Sequence, residues 1–471
     1  MARVPDPQIT FADLEFMRQG VRLDPLLQSI SDFIDDQPAL IERVRQDLER
    51  GLRFPGTGRN GLTARHVLRS LTLQRVKNWD YRELRERIAD GFTLRRFTGF
   101  MSRSVPKHDA FHRAFNRLTP KTLEAINNAV VQAAVGMGLE KGNKLRVDTT
   151  VVETDIHHPT DSMLLWDTVR VVCRLVKQLG DHLPRGIAGF TNRTRSARRR
   201  MQEIQRMTPQ QRVARQLSRY RQLIGTTEEV IVDARRVLEK TKKVQGAAIL
   251  SDLAIEALHK EIEHYCALGD QVISQASRRV FGGEQVAAHE KLYSIFEPHT
   301  DLIKRGKVAK PVEFGHKVFL AESACGLITQ YRVLDGNPTD EHLIEPSLKH
   351  HKRTFGQAPA LLSTDRGFYS EKNLEACDRA GVLIASIPQR GGKKTPEREA
   401  REKSPGFKKA QRFRAGIEGR ISVLFRGRGM KRCLAKGRTR FELFVGAAVL
   451  ANNLMVIANL LIKRQKRRRA A

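Results

Sequence analysis

Leu145-Arg146-Val147-Asp148-Thr149-Thr150-Val151-Val152 is the stretch on which the fold of this 471-residue chain turns. Its β-branched and apolar residues have the bias of a strand, and Asp148 stands where the run through Leu145 and Val147 ends. Leu362-Ser363-Thr364-Asp365-Arg366-Gly367 repeats the arrangement: a short apolar run, an Asp where a buried strand would emerge, then a Gly that lets the backbone turn. A third acidic station, Arg414-Ala415-Gly416-Ile417-Glu418, has helical periodicity instead. Ala410, Phe413, Ile417, Ile421 and Leu424 recur at spacings of three and four, which marks one buried helix face. Glu418 lies about 100° round from Ile417, at the rim of that face. Two strand-end carboxylates and one helical carboxylate can converge on a pair of Mg²⁺ ions, with Mn²⁺ as a substitute. Such ions take hard oxygen ligands and cut or join phosphodiesters.

The charge balance names a partner for that chemistry. The chain has 84 Lys and Arg against 52 Asp and Glu, a formal net charge of +32. A surface so basic needs an anionic partner, and basic residues spread along the whole chain suit nucleic acid better than a membrane surface. A hydrophobic content of 40% with 29% charged residues excludes a disordered chain. The length exceeds one ordinary core, so several domains are expected. Cys173, Cys266, Cys325, Cys377 and Cys433 are widely spaced without a C-x-x-C, which points to reduced thiols in a cytoplasmic protein. His157 and His158 have no paired His or Cys at ligand spacing and read as structural. The opening residues lead into polar sequence, so no secretory leader is expected. Phe441 to Ile462 is long enough to span a membrane, yet carries Glu442, Asn452, Asn453 and Asn459, which are costly in hydrocarbon. A helix buried in protein is the expected reading, and no membrane partner is expected.

Outward from the first station, residues 1 to 125 read as short helices. Leu40, Ile41, Val44 and Leu48 pattern one helix between Asp36 and Gly51, Thr63 caps a second, and Asp80 opens a third. Such helices suit a helix-turn-helix reader of duplex DNA, or a plain packing domain. From Ser162 to about Ala288 the pattern is long and helical. Within it residues 191–221 hold ten Arg against one acid, Glu203, either a solvated face or a phosphate-tracking helix. Gly315 to Ala321 and Leu327 to Leu334 flank a turn and read as a hairpin. Ala360 to Thr364 and Val382 to Ile387 are strands around a helix from Ser370 to Ala380, and residues 390–406 read as a basic, turn-rich loop.

Each acidic station also has an ordinary reading: a strand-end Asp capping a turn at Asp148, an Asx-turn at Asp365, an i−4 ion pair with Arg414 at Glu418. In sequence, though, strand-Asp, hairpin, strand-Asp, strand and helix-Glu follow the order of a ribonuclease-H-like nuclease core. At this point the chain resembles the DDE transposases of bacterial insertion sequences. The residues that carry the likeness are Leu71-Thr72-Leu73-Gln74, Tyr81-Arg82-Glu83-Leu84 and Phe97-Thr98-Gly99-Phe100, then Val147 to Glu153, Gly315-His316-Lys317 and Asn337-Pro338-Thr339-Asp340. They continue through Thr364 to Tyr369 and Arg414 to Ser422. His157-His158-Pro159-Thr160-Asp161-Ser162 before a long helical insertion looks like the ISNCY group.

The resemblance implies an α/β fold: a ribonuclease-H-like catalytic core interrupted by a long helical insertion, with an N-terminal all-helical DNA-binding domain. The expected partition is 1–125 for DNA binding, 126–162 and 311–437 for the two parts of the core, 163–310 for the insertion, and 438–471 for a C-terminal helix and basic tail. It implies that Asp148, Asp365 and Glu418 bind two Mg²⁺ and are catalytic. Arg366, Arg414, Arg420 and Arg426 would contact DNA phosphates, and Asp340 would lie near the site. The implied partner is double-stranded DNA, both the element's terminal inverted repeats and its target, acted on by a homodimer. The wider signature has a Tyr three residues before the Arg and a Lys seven after the Glu; here Gln411 and Phe425 stand there, with Arg426 displaced by one helical step. The alternatives are a ribonuclease-H-like endonuclease without strand transfer and a DNA-binding protein that has lost catalysis.

Overall fold

The computed structural model describes residues 2–3, 10–18, 22–55, 57, 59–242, 244, 249–304 and 311–470. It divides into two compact units, residues 1–153 with 316–471, and residues 154–315. The fold is mixed α/β with a helical N-terminal region.

In the first unit β1 (Ala2–Arg3) pairs in parallel with β2 (Arg59–Asn60), among the helices α1 (Phe11–Arg18), α2 (Pro25–Asp35), α3 (Pro38–Glu49), α4 (Ala64–Lys77), α5 (Tyr81–Asp90), α6 (Phe92–Thr98), α7 (His108–Phe115) and α8 (Pro120–Gly136). Thr63 and Asp80 do cap helices: Thr63 accepts from His66 N, and Asp80 accepts from Arg82 N and Glu83 N. Residue 125 falls inside α8. β3 (Lys144–Thr154) follows, with buried residues on both faces.

The second unit is mostly α9 (Asp161–His182), α10 (Thr194–Gln205), α11 (Pro209–Thr241) and α12 (Ile249–Val280), packed around Leu165, Val172, Leu223 and Ile262. His157 lies 3.3 Å from Asp167, and His158 stands edge-on to Phe314, so both histidines have structural neighbours. β4 (Asp301–Lys304) pairs antiparallel with the first residues of β5 (Val312–Ser323). The arginine run divides in two. Arg200 and Arg219 hold Glu203, and Arg193 holds Glu229 and Asp233. Arg195, Arg198, Arg206, Arg212 and Arg215 are exposed and unpaired among the described residues.

The rest of the first unit builds the sheet. β5 turns at Cys325 and Gly326 into β6 (Ile328–Val333), the expected hairpin, with a bulge at Ala321/Glu322. α13 (Ile344–Phe355), β7 (Leu361–Ser363), α14 (Glu371–Ala380) and β8 (Ile384–Ser386) come next. Sheet neighbours run β5-β3-β7-β8, and β3, β7 and β8 are parallel. The stretch 390–406 departs from expectation. α15 (Pro396–Lys403) lies within it, capped by Thr395, with Pro at its start, Glu397 and Glu399 early and Arg401 and Lys403 late. Those are end signals, which hold a helix without any apolar face to betray it. α16 (Pro405–Ser422) runs into a π-helical turn, Val423–Gly427, then β9 (Arg432–Cys433), which pairs with β3.

α17 (Arg438–Ala470) ends the unit. It is long and apolar enough to cross a membrane, but 67% of its apolar window is buried inside the protein. Its asparagines explain themselves: Asn453 donates to Ile328 O at 2.9 Å and accepts from Ile328 N at 2.9 Å. Leu443, Leu450 and Leu454 share one core with Ile30, Val67, Leu84 and Phe111 of the N-terminal helices.

Candidate active site

Parallel register brings the two aspartates together. Arg146 pairs with Ser363 at the end of the β3/β7 ladder, and Asp148 and Asp365 each lie two residues beyond that pair. Asp365 follows the carboxyl end of β7, whereas Asp148 is inside β3, which continues to Thr154, so the strand end expected at Asp148 is corrected: the apolar run resumes at Val151 and Val152 and carries the strand on. Period-two alternation puts both on the face that Arg146 and Ser363 share. A backbone N–H pins one oxygen of each: Thr149 N donates to Asp148 Oδ1 at 2.8 Å, and Gly367 N to Asp365 Oδ1 at 2.8 Å.

α16 is fastened over that face by sheet residues. Ser363 Oγ donates to Ala410 O at 2.9 Å, and Arg146 donates to Phe413 O at 2.6 Å. Gln411, where the wider signature has Tyr, donates to Ser386 O at 2.9 Å and to Thr364 O at 3.2 Å, so it spans β8 and the end of β7. Gly416 is the point of close approach, since a Cβ there would overlap the Arg146 guanidinium.

Arg414 collects all three carboxylates. Its guanidinium lies 3.0 Å from Asp148 Oδ2, 2.9 Å from Glu418 Oε1 and 3.9 Å from Asp365 Oδ2. Asp148 is nearly buried, Asp365 is partly open and Glu418 is 66% exposed, so the trio grades from the sheet out to solvent. Among the described residues no three Asp, Glu, His or Cys side chains stand as a ready metal cage. Here Arg414 fills the centre. Three carboxylates around one cation are nevertheless the hard oxygen donors that a divalent ion takes, so these residues fit such an ion once the guanidinium withdraws.

Asp340 joins this edge of the site. It accepts from Thr149 Oγ1 at 3.1 Å and pairs with Lys317 Nζ at 2.7 Å. A Cβ on Gly367 would come within 3.2 Å of Asp340 and 3.1 Å of Asp365, so Gly367 lets the two acids flank one strand end. Lys317 also donates to Pro338 O at 2.8 Å. The sequence reading did not single out Lys317 for a role.

The four arginines expected on DNA part ways. Arg366 and Arg426 are exposed and unpaired among the described residues. Arg414 is engaged as above. Arg420 corrects the expectation: it donates to Glu322 at 2.9 Å and to Asn452 at 3.1 Å, and Arg146 takes the other Glu322 oxygen at 2.7 Å. Glu322 is fully buried, so Arg420 is held as one of its two counter-charges and is not offered to phosphate. The missed signal was Arg146, a charge inside an apolar strand, which had to find a buried acid.

Arg426 is better placed than helical spacing alone implies. Eight α-helical steps of about 100° leave it about 80° past Glu418. The π turn at Val423–Gly427 accommodates an extra residue, which takes most of that excess back. Phe425 turns toward the core beside Ile421, and Arg426 faces solvent.

Two family models match the chain. One, described as "Transposase domain (DUF772)", covers residues 15–117; the other, described as "Transposase DDE domain", covers residues 298–454. The second spans Asp365 and Glu418, while Asp148 lies between the matched segments. No curated protein and no solved structure matches the chain.

Proposed function

The chain belongs to the DDE transposases of insertion sequences, enzymes that cleave DNA strands and transfer them, and we propose that Asp148, Asp365 and Glu418 are the carboxylates with which it does so. The observation that carries this is Arg414, whose one guanidinium reaches acids from two neighbouring strands and a helix. The fold we assign is a ribonuclease-H-like core, supported by a sheet in which the β5–β6 hairpin, which follows β3 in the chain, lies beside the parallel β3, β7 and β8.

Divalent metal dependence comes with the family; Mg²⁺ is the ion assigned here, with Mn²⁺ as a substitute. Bound among the three acids, such ions activate the attacking water or 3′-hydroxyl and neutralise charge on the phosphate. The chain's own groups prepare the place. Backbone N–H groups fix one oxygen of Asp148 and of Asp365, and the other oxygen of each faces the Arg414 guanidinium, which an ion would replace. Lys317 holds Asp340 against Thr149, which steadies β3 beside Asp148. Glu418, exposed on α16, closes the set from the solvent side.

DNA is the substrate. The helices of residues 15–117 read the element's terminal inverted repeats, and a homodimer pairs two ends before joining them to target DNA. Arg366, Arg426 and, once displaced, Arg414 contact phosphates near the cut, while the unpaired arginines of α10 and α11 add sequence-independent contacts. The place of action is the cytoplasm, on the nucleoid.

A supercoiled plasmid carrying the element between its native flanks tests the reading. In Mg²⁺ the wild type yields cut ends and joined products. Nicks without joined products would favour the plain nuclease, and no metal-dependent cutting at all would sink the enzymatic assignment.

A further inference from the structure

A small cavity of about 50 Å³ opens in the first unit among α4, α5, the end of α7 and the start of α17. Its polar lining consists of Gln74, Arg75, Tyr81, Asn116 and Arg440, and no Asp or Glu lines it. The rest of the wall is apolar, with the rings of Phe115 and Phe444.

Arg75 is the residue that asks for a ligand. Its guanidinium lies 4.0 Å over the Phe444 ring, and its Nε is sealed from solvent without an acceptor. It makes no hydrogen bond or ion pair with any described residue. Burial draws its pKa down, and the groups opposing that shift are Cys433 and Tyr81, not a carboxylate. Arginines placed as deeply elsewhere in this unit are provided for. Arg69 pairs with Asp35, Arg146 and Arg420 share Glu322, and Arg428 donates to Val76 O. Around the cavity, Arg440 and the Tyr81 hydroxyl also lack an acceptor among the described residues. Two guanidinium groups, a phenol and two amides face one space with no acid among them, and a guanidinium drawn partly out of water without a counter-charge is unfavourable until an anion arrives.

We infer that this cavity is an anion site that takes a phosphate group between Arg75 and Arg440, with Tyr81 and Gln74 as further donors. A DNA backbone phosphate and a free phosphate ion offer the same chemistry. The Phe444 and Phe115 rings restrict the space, and the planar forks of the two arginines suit phosphate oxygens. The site is separate from Asp148, Asp365 and Glu418 and stands whether or not those acids cut DNA.

The test uses the full chain, titrated with inorganic phosphate at constant ionic strength while thermal midpoint and binding heat are followed. Duplex-DNA affinity is measured alongside, between about 50 and 200 mM salt. Phosphate should raise the wild-type midpoint where chloride does not, and Arg440→Gln should weaken phosphate binding roughly tenfold. Arg75→Met should melt above the wild type when phosphate is absent, because an apolar chain replaces an uncompensated cation, and should no longer respond to phosphate. If DNA supplies the phosphate, the slope of log affinity against log salt falls by about 0.9 in Arg440→Gln; if the free ion does, that slope holds while phosphate binding is lost. Phosphate without effect on the wild type, together with an unchanged DNA slope in Arg440→Gln, overturns the inference. Should Arg75→Met fail to fold, Arg440→Gln at the cavity mouth decides alone.

Discussion

Arg414 both gathers the three carboxylates and stands where a metal ion would go. Its guanidinium is the chain's own counter-ion for three acids that would otherwise repel one another. Arg414→Gln is therefore expected to bind Mn²⁺ several-fold more tightly than the wild type in the absence of DNA, measured by calorimetry. Arg366→Gln, which removes an equal charge from outside the trio, should change affinity much less; equal effects would mean a diffuse field and no displacement. The Glu322 site gives a stability test. Its carboxylate is fully buried between Arg146 and Arg420, so Glu322→Ala leaves two cations without their acid and should cost about 3 kcal/mol or more in urea unfolding. At this scale the sequence revealed the acids and hid their partners. Asp148 and Asp365 announce themselves at the ends of apolar runs. That Arg420 serves Glu322 depends on a helix meeting a strand about a hundred residues away, which no local pattern encodes.

Among the elements, α16 and its π turn decide how the departures from the wider signature are understood. Gln411 is tied to the end of β7 and to β8, and the wider turn offsets most of the angular excess between Arg426 and Glu418. Arg426→Gln should lower DNA affinity and reduce the salt slope by about 0.9 without changing the thermal midpoint. Arg420→Gln should do the reverse, lowering the midpoint and sparing the slope. A π turn is invisible to a reading based on a period of 3.6, which is why Arg426 seemed one step out of place. α4 offers a pH test. His66 accepts from Thr63 N through Nδ1 and its Nε2 bonds Gly99 O, an arrangement that needs the neutral ring. Burial pulls its pKa down to about 4 from 6.5, with Arg103, Arg65 and Arg69 adding to the effect and the Gly99 bond opposing it. The unfolded chain therefore binds a proton first as pH falls below 6.5, and stability drains away down to about pH 4. Thermal midpoints across that window should fall less steeply in His66→Gln, which can keep the capping box. An unaltered slope would assign the acid sensitivity elsewhere.

At the scale of the whole molecule, residues 15–117, the part of the second matched segment from 316 to 454 and the C-terminal helix belong to one compact unit. The N-terminal helices share their core with α17, whose Leu443, Leu450 and Leu454 join the same cluster. A chain ending at residue 437 should thus lose the fold of residues 23–134 along with the helix, seen as lost cooperative unfolding by circular dichroism. The sequence showed an apolar helix at the C-terminus and helices at the N-terminus, yet their union joins the two ends of the chain and leaves no trace in local periodicity. What was legible was order: strand, hairpin, strand and helix each kept their expected places, because apolar runs and turn residues mark them locally. On the proposed function, Asp148, Asp365 and Glu418 hold the ions with which this transposase cuts DNA. Cleavage of element ends by Asp365→Cys, in Mg²⁺ and then in Mn²⁺, tests it most directly, since a thiolate is a poor partner for Mg²⁺ and a better one for a softer ion. The variant should not cut in Mg²⁺ and should partly recover in Mn²⁺; cutting in Mg²⁺ at the wild-type rate would remove Asp365 from the metal site.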